Sequence, residues 1–335
     1  MTGGGALLAV SDLAVSFSVR RSLRQVLAGQ RSLVRAVDGI SFGVGRQEIL
    51  GLIGESGCGK TTTGRLVMKL LRPSAGSISF DGMDITRASG MEAARYRRRA
   101  QMIFQDPYAS MNPRFRVRDV LAEPLSIHRV GAGRRERAGL IEKALAEVKL
   151  EPVEEYLDRF PHMLSGGQRQ RVATARALIL SPELLIADEP VSMIDLSTRA
   201  EILAMMKEVQ RARGLSILYI THDISTARFF ADRLAVMYLG RIVETGSPED
   251  IVERPAHPYT RALISAVPEP EPGRVKTIRA LPISGEVPSA ARIPPGCRFH
   301  PRCPSATEHC RRDPEPVLED VGPGHAAACR RWKEI

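Results

Sequence analysis

The chain has 335 residues, 43% hydrophobic and 26% charged, which is enough for roughly two domains of ordinary globular composition. These proportions exclude a fully disordered chain and a small disulfide-stabilised protein. No apolar run approaches the roughly 18 residues of a membrane helix, and the N-terminus lacks the positive charge of a secretory signal, so we expect a cytosolic protein. The net charge of +10 fits nucleic acid, anionic lipid or an anionic small substrate and does not choose among them.

Short β-rich runs alternate with longer helical segments over residues 1–265, which predicts an α/β sheet domain. Between about residues 106 and 164 prolines separate helical stretches and no strand is predicted, so we expect a helical insertion in that domain. The predicted strands are 48–53, 184–187 and 216–220, the predicted helices are 60–71 and 197–213, and a hairpin is predicted at 234–244.

The remaining part of the chain, residues 266–335, is rich in proline and lacks periodicity. This composition predicts a loop-rich C-terminal extension that needs a clamp to order it. Four of the five cysteines lie there: Cys297, Cys303, Cys310 and Cys329. In a cytosolic protein such clustering points to metal before disulfide, and four thiolates suit an iron–sulfur cluster and equally a tetrahedral zinc.

A phosphate-binding loop is predicted between the strand at 48–53 and the helix that follows it. Its three glycines let backbone N–H groups turn toward a β-phosphate, and the helix N-terminus adds its dipole. Lys60 is expected to reach the β- and γ-phosphate oxygens, and the Thr61 hydroxyl to ligate Mg²⁺, whereas Cys58 is interpreted as a small filler. The predicted nucleotide-binding residues of this segment are Gly54, Glu55, Ser56, Gly57, Cys58, Gly59, Lys60, Thr61 and Thr62.

Two carboxylates follow the apolar strand at 184–187. Asp188 is placed to hold Mg²⁺ through water, whereas Glu189 is placed to polarise an attacking water toward a γ-phosphate. A solvated strand end is the alternative for this pair taken alone.

The segment Leu164–Gln168 predicts the start of a helix, because Ser165 and Gln168 have the spacing of a capping box. Such a helix end carries unpaired N–H groups that bind anions. The five residues Leu-Ser-Gly-Gly-Gln also resemble the signature of the ATP-binding cassette (ABC) ATPases, and the other motifs fall in that family's order. A purely structural cap does not explain this order.

The resemblance assigns roles to further residues. Gln105 resembles the Q-loop glutamine that reaches Mg²⁺ and water, and His222 resembles the switch histidine that contacts the γ-phosphate. Ser192–Asp195 resembles the D-loop, with its first and last residues matching and its middle two departing from the usual Ser-Ala-Leu-Asp. Phe17 stands where the family places an aromatic residue that stacks on adenine; a core phenylalanine is the alternative.

The fold implied by the resemblance is an ABC-type nucleotide-binding domain over residues 1–265, followed by the Cys-containing extension. Such a domain has a RecA-like sheet core, an antiparallel β subdomain and a helical subdomain, here at about 106–164. In the family two chains enclose two ATP molecules. Ser165 and Gly167 are therefore implied to act in trans on the partner's nucleotide. The implied nucleotide-binding residues of the signature are Ser165, Gly166, Gly167 and Gln168.

The chemistry implied is ATP hydrolysis with Mg²⁺ as cofactor. A water held by Glu189 and His222 attacks the γ-phosphoryl group in line, while Lys60 and Mg²⁺ neutralise the developing charge. The implied Mg²⁺ ligands are Thr61, Gln105 and Asp188.

Further segments resemble the ATPases of oligopeptide, dipeptide and nickel importers; they are 105–113, 122–125, 257–263, 285–288, 295–297 and 299–304. The Arg-rich stretch 20–35 before the phosphate loop favours the F-like subunit of that branch. Some members of the branch carry a [4Fe–4S] cluster in the tail, which favours a cluster at the four cysteines over zinc and over free thiols or disulfides.

The resemblance implies a peripheral protein on the cytoplasmic face of the membrane. Its implied partners are two transmembrane permeases, a second ABC ATPase that is a paralogue or a copy of this chain, and an extracytoplasmic solute-binding protein. Di- or oligopeptides are the implied solute, with nickel or oligosaccharides as alternatives, and no nucleic acid is expected.

A DNA-associated ATPase is the rival class, since some repair proteins combine this signature with a metal site and a basic surface. Against it, the interval between Lys60 and Ser165 has no long heptad repeat and no zinc finger. A translation-factor ATPase normally carries two cassettes, whereas this chain has one phosphate loop and one signature.

Overall fold

A computed structural model describes residues 5–18, 33–266 and 285–335. Within these ranges the chain forms two compact units. The first unit contains residues 5–7, 44–49 and 81–219, and the second contains residues 8–18, 33–43, 50–80, 220–266 and 285–335. Most of the Arg-rich stretch 20–35 lies outside the described residues.

The sheet of the first unit is built on parallel strands. Strands β6 (Ala100–Ile103) and β7 (Leu184–Asp188) pair in register, and β8 (Ser216–Thr221), whose first four residues belong to this unit, is next to β7 in strand order. Every residue of β7 and β8 is buried, as expected for parallel strands covered on both faces. The strands predicted at 184–187 and 216–220 are confirmed.

Helices make up most of the rest of the first unit. They are α2 (Gly90–Arg99), α3 (Pro107–Ser110), α4 (Val117–Ile127), α5 (Arg134–Glu147), α6 (Glu154–Leu157), α7 (Gly166–Leu178) and α8 (Leu196–Arg213). A two-residue strand, β5 (Met83–Asp84), precedes them. Between β6 and β7 the described chain contains helices and a 3₁₀ turn and no strand, as predicted for residues 106–164.

The strands of the second unit belong to two sheets. In one, β1 (Leu8–Ser18) lies between β2 (Leu33–Val44) and β4 (Ala75–Phe80), and its pairing with β4 is antiparallel. In the other, β3 (Ile49–Ile53) pairs in parallel with β9 (Arg233–Tyr238), which forms the predicted hairpin with β10 (Arg241–Gly246). The helices of this unit are α1 (Lys60–Val67), α9 (Ile224–Phe230), α10 (Pro248–Glu253) and α11 (Pro258–Ser265).

Helix α1 is shorter than the predicted segment 60–71. It ends at Val67 because Lys69 adopts a φ of +55°, a left-handed conformation that a right-handed helix does not continue through. The Leu70 N–H then bonds back to the Arg65 carbonyl at 2.9 Å. A local reversal, and not Pro73, ends this helix.

The C-terminal extension contains more regular structure than its sequence predicts. Strands β11 (Glu319–Gly322) and β12 (His325–Ala327) pair with each other, and β12 pairs antiparallel with β10. Strands of four and three residues carry too few alternations to show a period. The extension therefore adds two strands to the sheet that contains the predicted hairpin.

A buried carboxylate lies where the extension meets this sheet. Glu244 of β10 accepts hydrogen bonds from the Ala256 and His257 backbone N–H groups at 2.7 and 3.0 Å, and from His325 Nε2 at 2.7 Å. These donors satisfy a charge that would be costly to bury alone.

His257 is the N-cap residue of α11, and its burial predicts how the stability of the fold depends on pH. Its Nδ1 accepts a hydrogen bond from the Tyr259 N–H at 3.1 Å, which requires an unprotonated Nδ1. Burial lowers the pKa of His257 to about 3 from 6.5. The unfolded chain therefore takes up a proton that the folded chain does not, so stability is complete above about pH 6.5 and falls as the pH drops toward 3.

We expect His257→Asn, which keeps a side-chain acceptor for the cap but does not titrate, to be less sensitive to acid. Between about pH 6.5 and pH 4 the wild type should lose roughly 1–3 kcal/mol more unfolding free energy than the variant. Urea unfolding across this pH range measures the difference. If the unfolding free energies of the two proteins fell equally with pH, His257 would not be the source of the acid sensitivity.

Candidate nucleotide-binding site

The predicted phosphate loop, residues 54–61, connects β3 to α1 as its mechanism requires. Two glycines of this loop lie in close contact with backbone atoms of other segments. Gly54 has a φ of +153°, and a Cβ there would lie 2.2 Å from the Met237 carbonyl oxygen; Gly59 has a φ of +112°, and a Cβ there would lie 2.2 Å from the Ala36 carbonyl oxygen. Only glycine is compatible with these contacts.

The Lys60 ammonium lies inside this loop. Lys60 is 5% exposed, and its Nζ donates to the carbonyl oxygens of Gly54 and Glu55 at 2.7 and 2.9 Å. A buried ammonium encircled by loop backbone provides a positive centre for a phosphate group. Contact of Lys60 with β- and γ-phosphate oxygens stays a prediction.

Cys58 packs beside this ammonium, with its Sγ 3.8 Å from Lys60 Nζ. Burial raises the pKa of the Cys58 thiol, so the group stays protonated and unreactive at neutral pH. This supports the interpretation of Cys58 as a small packing residue.

Two further predicted residues belong to the same unit. Phe17 lies on β1 and is 40% exposed, too much for a core phenylalanine and consistent with a surface on which a base stacks. His222 follows β8 and is exposed, one residue before Asp223, which caps α9 by accepting from the Ser225 N–H at 2.9 Å.

The first unit brings Gln105 and Glu189 together. They follow neighbouring parallel strands, so their side chains meet at the carboxyl edge of the sheet, where Gln105 Nε2 donates to Glu189 Oε2 at 3.2 Å. Asp188, the last residue of β7, is buried. Glu189 itself has a φ of +47°, a left-handed conformation that costs about 1–2 kcal/mol and is concentrated at functional sites.

The signature segment forms the predicted capping box at the start of α7. Ser165 Oγ accepts from the Gln168 N–H at 3.2 Å, and Gln168 Oε1 accepts from the Ser165 N–H at 3.0 Å. Gly167 is required by space, since a Cβ there would lie 2.5 Å from Thr198 Cγ2.

Asp195 is the N-cap of the next helix, α8. Its side chain accepts from the Thr198 N–H at 2.9 Å and from Ser197 Oγ at 2.7 Å. These hydrogen bonds, the backbone N–H of Thr198 above all, lower the pKa of Asp195 to about 2. Asp195 is therefore an anion at neutral pH and fixes the start of α8.

Sequence reasoning missed Arg169, which joins the signature helix to the segment after Gln105. Its guanidinium lies 4.0 Å from the Tyr108 ring centroid and donates to the carbonyls of Pro161 and His162. The sequence around Arg169 does not predict this contact, because Tyr108 lies 61 positions away and approaches Arg169 only in the folded chain.

All five cysteines lie in the described ranges and carry free thiols, and the four of the extension line one cavity together with His257 and His300. Burial raises the pKa of Cys297 to about 12, that of Cys329 to about 11, and that of Cys303 in the same direction. Across residues 5–18, 33–266 and 285–335, no three His, Cys, Asp or Glu side chains are arranged to hold a metal ion. The predicted iron–sulfur cluster or zinc therefore has no support from side-chain geometry.

No helix in the described part of the chain is long and apolar enough to span a lipid bilayer.

The glycine contacts of the phosphate loop give a paired prediction. Gly59→Ala places a methyl group against the Ala36 carbonyl, whereas Gly57→Ala also introduces a side chain at a positive φ but has nothing within 4 Å of the added methyl group. We expect Gly59→Ala to lose at least about 2 kcal/mol more unfolding free energy than Gly57→Ala. Denaturant unfolding of both variants is the measurement, and equal losses would refute the steric explanation.

Comparison with known proteins agrees with this geometry. The family model described as ABC transporter matches residues 37–192, and the model described as oligopeptide/dipeptide transporter, C-terminal region, matches residues 243–310. A protein of Brucella ovis, named for peptide import and ATP binding, is 44% identical and covers 97% of this chain and 98% of its own length. The oligopeptide transport ATP-binding protein AppF of Bacillus subtilis is 43% identical, with 97% of each chain covered.

Solved structures show the same fold. CbiO1 of Clostridium perfringens, part of the ABC transporter complex CbiONQ, has a TM-score of 0.64 at 28% identity and covers 74% of this chain and 91% of its own. The ATP-binding cassette MJ0796, bound to ADP and phosphate, has a TM-score of 0.63 at 25% identity and covers 72% of this chain and 98% of its own. The predicted ABC-type fold is thereby confirmed. Two relatives above 40% identity align with nearly the whole chain, and family models match both its N-terminal and its C-terminal part. The chain therefore belongs to the ABC transporter family, among the ATP-binding proteins of oligopeptide and dipeptide transporters.

Proposed function

We propose that this chain is the ATP-hydrolysing subunit of a membrane importer that takes up di- or oligopeptides through separate permeases. The observation that carries the proposal is the Gln105–Glu189 contact beside the buried Asp188 at the end of a parallel strand. The family membership and the names of the relatives, which refer to peptide or oligopeptide transport and to ATP binding, support the same conclusion.

The phosphate loop is proposed to hold the β- and γ-phosphates. Lys60 holds its ammonium inside the loop, where it is proposed to meet the phosphate oxygens. Phe17 is proposed to stack on the adenine. Mg²⁺, when bound, neutralises phosphate charge, and the residues proposed to hold it are Thr61, Gln105 and Asp188.

Glu189 is proposed to accept a proton from the attacking water. The water oxygen attacks the γ-phosphorus, the bond to the β–γ bridging oxygen breaks, and ADP and phosphate leave. The Gln105 amide orients the Glu189 carboxylate by its hydrogen bond, and His222 is proposed to contact the γ-phosphate. A left-handed Glu189 suits this role because its strained backbone fixes where the carboxylate points.

A second ABC ATPase, a paralogue or a copy of this chain, is proposed to complete the site. In that arrangement the α7 N-terminus faces the partner's γ-phosphate, where its unpaired N–H groups and its dipole favour an anion. The capping box holds Ser165 and Gln168 at this helix end. Asp195 is proposed to help communication between the two ATP sites.

Two transmembrane permeases and an extracytoplasmic solute-binding protein are the other proposed partners, with this chain on the cytoplasmic face of the membrane. Exposed apolar side chains in the helical segment of the first unit support a docking surface there; they are Tyr108, Phe115 and Ile127. Arg116 and Arg118 in this segment both pair with Asp158, at 2.6 and 2.8 Å, so part of the local positive charge is used within the chain.

Peptides are favoured over nickel and oligosaccharides as the solute, and over a DNA-repair role, because the relatives compared above are named for peptide or oligopeptide transport. No nucleic-acid partner is proposed.

A metal at the four C-terminal cysteines stays a prediction of the resemblance. The four thiols share one cavity, and a thiol becomes a thiolate when it binds a metal. Iron, sulfide and zinc analysis of anaerobically purified protein tests it. Stoichiometric iron with a brown colour supports a cluster, and stoichiometric zinc supports a tetrahedral site. A preparation that contains neither iron nor zinc refutes both kinds of site.

Glu189→Gln tests the hydrolysis mechanism. The amide keeps the shape and the contact with Gln105 but accepts no proton, so we expect kcat to fall about 10²–10⁴-fold while Mg·ATP still binds. Single-turnover hydrolysis and nucleotide binding measure the two effects. Glu201→Gln, an exposed carboxylate on α8 that pairs with Arg171, is the matched control with unchanged turnover; near wild-type activity of Glu189→Gln would remove Glu189 from this role.

The same variant identifies the partners. Purified from membranes with Mg·ATP, Glu189→Gln should retain a nucleotide-closed pair of ATPases together with two multi-spanning proteins. Recovery of nucleic acid or of soluble proteins alone would refute the transport function and leave the ATPase chemistry intact.

A further inference from the structure

Two buried arginines lie four residues apart in the turn that runs from Cys297 to Cys303. Arg298 is 4% and Arg302 is 8% exposed. Buried guanidinium groups need paired partners, because an unpaired buried charge is costly. Their partners show what this turn of the C-terminal extension holds in place.

Arg302 holds the phosphate loop. Its Nη1 and Nη2 donate to the two carboxylate oxygens of Glu55 at 2.9 and 3.0 Å, a bidentate ion pair. The Glu55 backbone N–H donates to Tyr259 Oη at 2.8 Å, and its carbonyl accepts from Lys60 Nζ. Glu55 is therefore fixed through its side chain, its N–H and its carbonyl.

The guanidinium of Arg302 is itself confined. It lies 5.9 Å from the ring centroids of both Tyr238 and Phe299. These two rings and Tyr259 pack together, with centroid distances of 4.6, 5.4 and 5.5 Å. Such packing restricts the arginine to one orientation, which strengthens a geometry-dependent bidentate pair.

Arg298 anchors the same turn to the sheet of this unit. It donates to the Leu239 carbonyl and to Asp38 at 2.5 Å each, and to the Glu315 carboxylate at 2.6 and 3.0 Å. The position of Arg302 therefore does not depend on its pair with Glu55 alone.

The pair has an electrostatic consequence for the loop. Glu55 is an acidic residue inside a loop that is proposed to receive a polyphosphate, and an unpaired carboxylate there would repel that ligand. A bidentate arginine pairs with this carboxylate and offsets its charge, while the Lys60 ammonium stays inside the loop. The acidic loop residue and the arginine of the extension thus act as a unit.

We propose that Arg302 is a positioning residue that sets the affinity of the phosphate loop for Mg·ATP, by clamping and neutralising Glu55. The C-terminal extension thereby supplies a part of the nucleotide site. This inference rests on the proposed ATPase function.

A double-mutant cycle of Arg302→Met and Glu55→Gln tests the proposal. Methionine keeps an apolar side chain beside the rings and removes the charge, so Arg302→Met should raise KM and the Kd for Mg·ATP about tenfold. Because the loop and not the hydrolytic group is affected, kcat should stay within about twofold. Glu55→Gln in the Arg302→Met background should restore most of the affinity, since the unpaired carboxylate is then gone.

This rescue separates positioning from structural support. If Arg302→Met only loosened the fold, it would lower the melting temperature, and adding Glu55→Gln would not restore the affinity for Mg·ATP. Arg302→Lys, which keeps the charge and loses the bidentate geometry, should raise the Kd by a smaller factor, about threefold, and serves if Arg302→Met does not fold. Arg331→Met is the matched control, since Arg331 bonds to Ser305 and Glu334 within the extension; its Kd should equal that of the wild type.

Either of two results would overturn the inference. One is an unchanged Kd in the folded Arg302 variant, and the other is a double variant as weak as Arg302→Met alone. A wild-type protein that does not bind Mg·ATP would instead refute the proposed function.

Discussion

The close contact between the phosphate loop and its neighbouring strands is the constraint on which the nucleotide site depends. Gly54 and Gly59 bring loop backbone against the carbonyls of Met237 and Ala36, at distances that leave no room for a Cβ. The loop is thereby held by backbone packing on two sides, and Lys60 can keep its ammonium inside it.

The contact between the proposed hydrolytic residues of the first unit follows from parallel strand pairing. Strands β6 and β7 run side by side in register, so the residues after them, Gln105 and Glu189, emerge at one edge although 84 positions separate them. The left-handed backbone of Glu189 then aims its carboxylate, and the capping boxes and N-caps that begin the nearby helices hold Ser165 and Asp195 at defined places. Strain at one residue is sustained because buried strands on both sides overdetermine its position.

The C-terminal extension is part of the same compact unit as the phosphate loop. Its two short strands extend the hairpin sheet, a buried Glu244 accepts hydrogen bonds where they join, and two buried arginines tie its cysteine-bearing turn to that unit. A segment with little apolar periodicity cannot order itself by burial alone. In this extension, strand pairing and the ion pairs of the two buried arginines hold the chain in place.

Local patterns in the sequence predict the candidate nucleotide site. Glycines at fixed spacing, a lysine, paired carboxylates and a capping box are local patterns with local physical causes, and they predicted the phosphate loop, the strand ends and the start of α7 where the structure has them. Tertiary structure decided what depends on distant partners: the early end of α1, the strands of the extension, the Arg169–Tyr108 contact and the pairing of Arg302 with Glu55. Residues 247 positions apart leave no trace of their contact in a single sequence, because the ion pair exists only after the sheet has brought them together.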